Sequence, residues 1–113
     1  MSFRFEITEV YPMRRPIVAL IGWLREGHVK MNEKIAVPYI DGSTILCAVV
    51  GLEVLYKRVE YVSAEGLEEQ IGITVTGLNA LEVRKDSVAI GSLALGVQRI
   101  SSPPPANKVE TGR

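Results

Sequence analysis

The sequence has too few of the residues that most catalytic and metal sites require. It contains one histidine, His28, and one cysteine, Cys47. A structural zinc site needs four Cys or His ligands, so it is excluded. A nucleophile and base pair of these two residues is disfavoured, because Cys47 lies in the apolar run 45–50 and activated thiols need polar, partly exposed surroundings. We therefore expect no enzyme, no catalytic residue, no metal and no cofactor.

Nucleotide-binding loops are also missing. The chain contains no Gly-x4-Gly-Lys-Ser/Thr segment and no Gly-x-Gly-x-x-Gly segment, which are the loops that cradle phosphates. We therefore expect no nucleotide hydrolysis and no dinucleotide binding. The adjacent acidic residues Glu68 and Glu69 are interpreted as solvated side chains rather than as a carboxylate pair.

Long apolar runs are absent as well. The longest, 17–21 and 45–50, fall far short of the roughly 20 residues that a membrane-spanning helix needs. An acidic residue at position 6 and the lack of an apolar segment after basic residues argue against a signal peptide. A single cysteine cannot form an internal disulfide. These features predict a cytoplasmic protein that does not bind membranes.

Charge of either sign is not in excess. Lys plus Arg and Asp plus Glu number 13 each, so the formal net charge is zero. A protein that binds nucleic acid mainly by neutralising phosphates usually has a basic bias. Any RNA-binding role would therefore depend on a local patch or pocket.

What the sequence does contain is a series of short strands. The apolar residues of 3–8 alternate with polar ones, and 17–24, 35–37, 44–56, 59–62, 71–75 and 88–90 also have strand character. Turns are predicted at 25–27, 32–34, 41–43 and 64–66, and Gly51 is predicted to mark a bulge. Only 78–85 suits a helix, of about one turn.

This pattern predicts an all-β fold, a small closed Greek-key-type β-barrel of about six to eight short strands, because closure removes exposed strand edges. We assign residues 1–100 to this barrel. Residues 101–113, rich in proline and serine at their start, are predicted to be a disordered tail.

The order of several short motifs resembles domain 2 of elongation factor Tu and related translational GTPases. The matching segments extend over about residues 3–90: Val-Tyr-Pro-Met at 10–13, Gly22 and Gly27 with Glu-Lys-Ile at 33–35, Gly-Leu-Glu at 51–53, Ala-Glu-Gly at 64–66, Gln-Ile-Gly-Ile at 70–73, Gly-Leu at 77–78 and the stretch 81–88. Two turn glycines of the family are replaced by Asn32 and Asp86, which also tolerate left-handed backbone. The family's Gly-Arg-Gly loop is Arg-Pro-Ile at 15–17.

The resemblance implies a non-catalytic binding module, since the family barrel contacts RNA and the GTPase domain. The family's pocket for the terminal adenine of transfer RNA would correspond to Glu53 and Gln70, with apolar walls at Met13, Ala19 and Thr74. Arg14 and Arg15 would lie in the loop near RNA, and Trp23 beside Arg25 would offer a stacking surface. The resemblance thus implies RNA or a translation-associated protein as partner, and it implies no oligomeric state. The alternative is a protein–protein adaptor, or a mimic of the elongation-factor surface, without RNA binding.

Overall fold

Eight antiparallel strands contain most of the described residues. The computed structural model describes residues 3–14 and 16–91. Arg15 and the predicted tail 101–113 therefore lie outside the described residues. The strands are β1 Phe3–Pro12, β2 Ile17–Lys30, β3 Lys34–Pro38, β4 Thr44–Val54, β5 Lys57–Val59, β6 Tyr61–Ser63, β7 Ile71–Thr76 and β8 Val88–Gly91. A single 3-10 turn, Ala80–Glu82, lies within the stretch predicted to suit one helical turn.

Six of these strands close into a barrel. They pair in the order β1-β8-β3-β4-β7-β2, and β2 pairs again with β1. The remaining strands extend the sheet, β5 on β4 and β6 on β2. Most neighbours are not consecutive in the chain, as Greek-key crossovers require. The predicted fold class, an all-β closed barrel of six to eight short strands, is confirmed.

The interior of the barrel is filled by every second residue of its strands. In β1 these are Phe3, Phe5 and Ile7, which are all buried, as the alternation predicted. In β7 they are Ile71, Ile73 and Val75. Since every second residue of a strand points to the same face, the intervening residues of β2, β4 and β7 form the outer wall. The candidate site lies on that wall.

The turn predicted at 25–27 is wrong. Strand β2 continues through these residues to Lys30, and its pairing with β1 shifts by one residue between Arg4 and Phe5. Gly27 has a φ of 79°, and its carbonyl accepts a hydrogen bond from the backbone N–H of Ala64. A bulge at Arg25, two residues before the left-handed Gly27, thus changes the register of the strand without ending it.

Other predicted turns are confirmed. The Asp41 carboxylate accepts hydrogen bonds from the backbone N–H and the hydroxyl of Ser43, at 2.8 and 2.6 Å, which closes the β3–β4 hairpin. Asn32 and Asp86 have φ angles of 71° and 61°, so the two residues that replace family glycines do adopt left-handed backbone. Among the described residues, no helix is long and apolar enough to cross a membrane.

Candidate functional site

A bulge in β4 places Glu53 on the outer wall. Cys47 and Val49 point into the core, so strict alternation would also bury residue 53. The pairing with β7 skips one residue between Val49 and Gly51, as predicted for a bulge at Gly51. The extra residue reverses the alternation, and in consequence Leu52 is buried and Glu53 is exposed.

A tight hairpin then brings Arg58 beside Glu53. Strand β4 ends at Val54, two residues before the predicted end, and Leu55 and Tyr56 form a two-residue turn into β5. Glu53 and Arg58 are directly paired across this hairpin. Both side chains are exposed, and neither forms a salt bridge with another residue in the described part of the chain.

The loop between β1 and β2 supplies the other side of the site. The backbone N–H of Met13 donates to the carbonyl of Ile17 at 3.0 Å, and the N–H of Ile17 donates to the carbonyl of Arg14 at 2.8 Å. These two bonds hold Met13 and Arg14 at the edge of the outer wall. Both side chains are exposed.

Together these elements line a groove of about 240 Å³, called here the arginine groove. Met13 and Ile17 supply apolar wall, Thr74 and Glu53 supply polar groups, and Arg14 and Arg58 supply two positive charges. Gly51 keeps the floor open, because a Cβ there would lie 2.7 Å from the Thr74 hydroxyl oxygen. The complete lining is Met13, Arg14, Ile17, Val50, Gly51, Leu52, Glu53, Arg58 and Thr74.

Gln70 does not line the arginine groove. It lines a neighbouring groove of about 230 Å³, called here the tyrosine groove, with Ile21, Glu53, Leu55, Tyr56, Ile71 and Gly72. The Gln70 side-chain amide donates to the Thr8 hydroxyl at 3.3 Å, which fixes its orientation. Glu53 is common to both grooves.

Two other residues singled out from the sequence, Ala19 and Arg25, lie outside both grooves. Ala19 pairs with Thr74 on the same wall but lines neither groove. Arg25 lies eight residues along β2 from Ile17, roughly 26 Å at the usual strand rise. Its guanidinium stacks on Trp23 at 5.2 Å and forms a salt bridge with Glu6 at 2.6 Å. Arg14 and Arg25 therefore do not form one basic cluster. The second arginine that lines the groove with Arg14 is Arg58.

The sequence did not predict roles for Tyr56 and Arg58, because the turn formed by Leu55 and Tyr56 contains no glycine, asparagine or proline. The sequence does contain one usable signal. If Leu55 and Tyr56 are the turn, then Glu53 and Arg58 are five residues apart on a hairpin and must face each other. That interpretation requires knowing where the strand ends, and the residues with strand character continue to Tyr56 without a turn signal.

Comparisons with known proteins agree with this architecture. No protein-family model and no curated protein matches the sequence. Among solved structures, the chain is similar to translation elongation factor SelB from Methanococcus maripaludis, in its apo form and with the GTP analogue GppNHp, with a TM-score of 0.68 and 16% identity in each case. It is also similar to a bacterial selenocysteine-specific elongation factor, EF-Sec, with a TM-score of 0.65 and 20% identity.

These similarities cover 81% and 80% of this chain but only 19% and 14% of the SelB and EF-Sec chains. This chain thus corresponds to less than one fifth of either factor. At this level of identity, the similarity concerns the fold. The chain has the fold of the β-barrel that forms domain 2 of elongation factor Tu and similar translation factors.

Proposed function

We propose that this barrel is a non-catalytic module that binds single-stranded RNA in the arginine groove. The observation that carries the proposal is the placement of Glu53, Arg14 and Arg58 around one open groove on a chain of zero net charge. Local positive charge beside an apolar wall suits a nucleotide, because the charge attracts the phosphate and the wall contacts the face of the base. The resemblance to the barrel that holds the adenine end of transfer RNA supports the same assignment.

Each lining residue has a distinct role in this proposal. Arg14 and Arg58 neutralise phosphates at the two sides of the groove. The base lies against Met13 and Ile17. The Glu53 carboxylate accepts a hydrogen bond from an exocyclic amine, which adenine and cytosine carry and uracil lacks. A base with such an amine, at the end of a strand or in an unpaired segment, is therefore the preferred ligand.

We also propose that the barrel itself has no enzymatic activity and acts in the cytoplasm beside the translation apparatus. Two observations support a binding role over a catalytic one. Burial raises the pKa of the Cys47 thiol to about 12, which makes it a poor nucleophile. Among the described residues, no three His, Cys, Asp or Glu side chains are grouped so that they could hold a metal ion.

Chemical-shift mapping tests the RNA proposal. A short single-stranded RNA ending in adenosine is titrated into the ¹⁵N-labelled protein at low salt. We expect the largest amide shifts at the arginine groove, at Gly51, Glu53, Arg58 and Thr74. Saturation of the protein with RNA without a change in these amide chemical shifts would contradict the proposal. Arg4, exposed near the start of β1 and roughly 27 Å from the loop at the usual strand rise, gives an internal reference.

A second candidate, a protein–protein adaptor, is favoured by one observation. Beneath the β1–β2 loop lies a largely apolar groove of about 560 Å³, lined by Met13, Ile17 and the segment 77–81, in which Leu81 is 85% exposed. Exposed apolar surface of this kind is typical of protein contacts. If this groove docks a protein, Leu81→Asp should abolish capture of a specific partner, whereas Leu46→Asp on β4 should retain it.

A further inference from the structure

The turn between β4 and β5 has an unusual composition. Its two central residues, Leu55 and Tyr56, have φ angles of 53° and 66°. Two-residue hairpin turns with positive φ at both positions are normally Asn-Gly, Asp-Gly or Gly-Gly, because large side chains are strained there. Here both positions carry large side chains.

The fold gains little from these side chains. Tyr56 is 97% exposed and Leu55 is 65% exposed, so neither contributes much to the core. The strained turn therefore lowers the stability of the fold, and packing of its two large exposed side chains does not offset that loss. Such strain is concentrated at functional sites.

The surroundings of Tyr56 indicate what it contacts. Tyr56 and Leu55 line the tyrosine groove, with Ile21 on β2 and Gln70 before β7. Gly72 forms part of its lining, and a Cβ there would approach the Ile21 Cδ1 atom to 3.3 Å. The groove has nearly the same volume as the arginine groove, about 230 against 240 Å³. Glu53 separates the two.

We infer that the tyrosine groove is a second base subsite, in which the Tyr56 ring stacks on the nucleotide next to the one in the arginine groove. This inference rests on the proposed function, and it adds that the ligand is a run of at least two unpaired nucleotides. The exposed Arg58, which lies two residues after Tyr56 and lines the arginine groove, provides positive charge for the phosphate that joins the two nucleotides. Aromatic stacking accepts any base, so Tyr56 contributes affinity, while Glu53 contributes selectivity.

The test compares a mononucleotide with a dinucleotide. Binding of adenosine monophosphate and of the 5′-phosphorylated dinucleotide pApA is measured by calorimetry. Because stacking of one base contributes about 1–3 kcal/mol, the wild type should bind pApA roughly 5- to 150-fold more tightly than the mononucleotide. Tyr56→Ala should remove most of this difference. Tyr56→Phe should keep it, and so should the control Tyr61→Ala on strand β6, because Tyr61 lines neither groove.

A second variant separates binding from folding. Leu55→Asn/Tyr56→Gly introduces the preferred turn residues, so it should raise the melting temperature while losing the dinucleotide gain. A lower melting temperature would contradict the strain on which the inference depends. An unchanged ratio of affinities in Tyr56→Ala would overturn the second subsite and leave the proposed function intact. Failure of the wild type to bind either nucleotide would overturn both the proposed function and the second subsite. Loss of a protein partner in Tyr56→Ala, with the ratio of dinucleotide to mononucleotide affinity unchanged, would assign the turn to protein binding instead.

Discussion

Glu53 and Arg58 face each other across the β4–β5 hairpin and line the same groove. Two local irregularities create this relationship. The bulge at Gly51 turns Glu53 outward, and the two-residue turn at 55–56 brings Arg58 back beside it. Neither side chain forms a salt bridge with another described residue.

Glu53 should determine base preference. A carboxylate only accepts hydrogen bonds, whereas the amide of Glu53→Gln also donates and can pair with a uracil carbonyl. A hydrogen bond to a charged group contributes about 1.5–3 kcal/mol, so Glu53→Gln should weaken binding of adenosine-ended RNA at least roughly tenfold. Uridine-ended RNA should bind as well as before or better. Competition between the two RNAs in fluorescence anisotropy measures this, with the exposed turn residue Glu65→Gln as the control. Equal loss for both RNAs would contradict the role of the carboxylate.

Gly22 should be indispensable for stability. A Cβ at this position would overlap the carbonyl oxygen of Glu6 and lie 2.9 Å from its carbonyl carbon, because β1 and β2 approach closely there. The obstacle is backbone, which cannot rotate away as a side chain can. Gly22→Ala should therefore cost at least the ~1–3 kcal/mol typical of overpacking, measured by urea unfolding.

Gly72→Ala is the matched control for Gly22. Its Cβ would meet the flexible end of Ile21 at 3.3 Å and lie at ordinary van der Waals distance, 3.9 Å, from the Glu53 Cβ. The urea midpoint should consequently fall much less for Gly72→Ala than for Gly22→Ala. Equal losses would mean that the close approach of β1 and β2 does not restrict position 22.

Cys47 should make stability fall at alkaline pH. Burial raises the pKa of its thiol from 9.0 in the unfolded chain to about 12, because the charged thiolate is poorly solvated in the core. The contribution is complete below pH 9 and is lost as the pH rises toward 12. The slope attributable to Cys47 should reach up to ~1.4 kcal/mol per pH unit. Unfolding free energies of wild type and Cys47→Ala from pH 8 to 11 isolate this slope, since lysines and tyrosines titrate in both. Parallel curves would contradict the account.

The sequence predicted the fold well wherever side-chain chemistry is local. Alternation marks the buried face of β1, and Asp41 with Ser43 forms a hairpin by hydrogen bonds within three residues. The left-handed backbone at Asn32 and Asp86 follows from residue type. The failures have a common cause. Gly27 indicated a turn but is paired with Phe3 within strand β2, and Leu55–Tyr56 indicated a strand but forms a turn, since pairing with other strands decides both.

The site was partly predictable for the same reason. The resemblance placed Glu53 and Met13 together, and the structure brings both to the arginine groove with Arg14. Gln70 falls in the neighbouring groove, and Arg15 lies outside the described residues. The positions of Arg58 and Tyr56 depend on the turn at 55–56, whose positive φ angles disfavour leucine and tyrosine. Their roles in binding, like those of the other site residues, stay predictions.

The salt dependence of RNA binding tests the central claim most directly. Affinity for a labelled single-stranded RNA ending in adenosine is measured by anisotropy from 50 to 300 mM salt for wild type, Arg14→Ala/Arg58→Ala and the control Arg4→Ala. Each phosphate contact on a single strand contributes about 0.7 to the slope of log affinity against log salt. The double variant should therefore bind more weakly, with a slope shallower by about 1.4, and Arg4→Ala should behave as wild type. Identical affinity and slope in all three proteins would contradict an RNA-binding arginine groove.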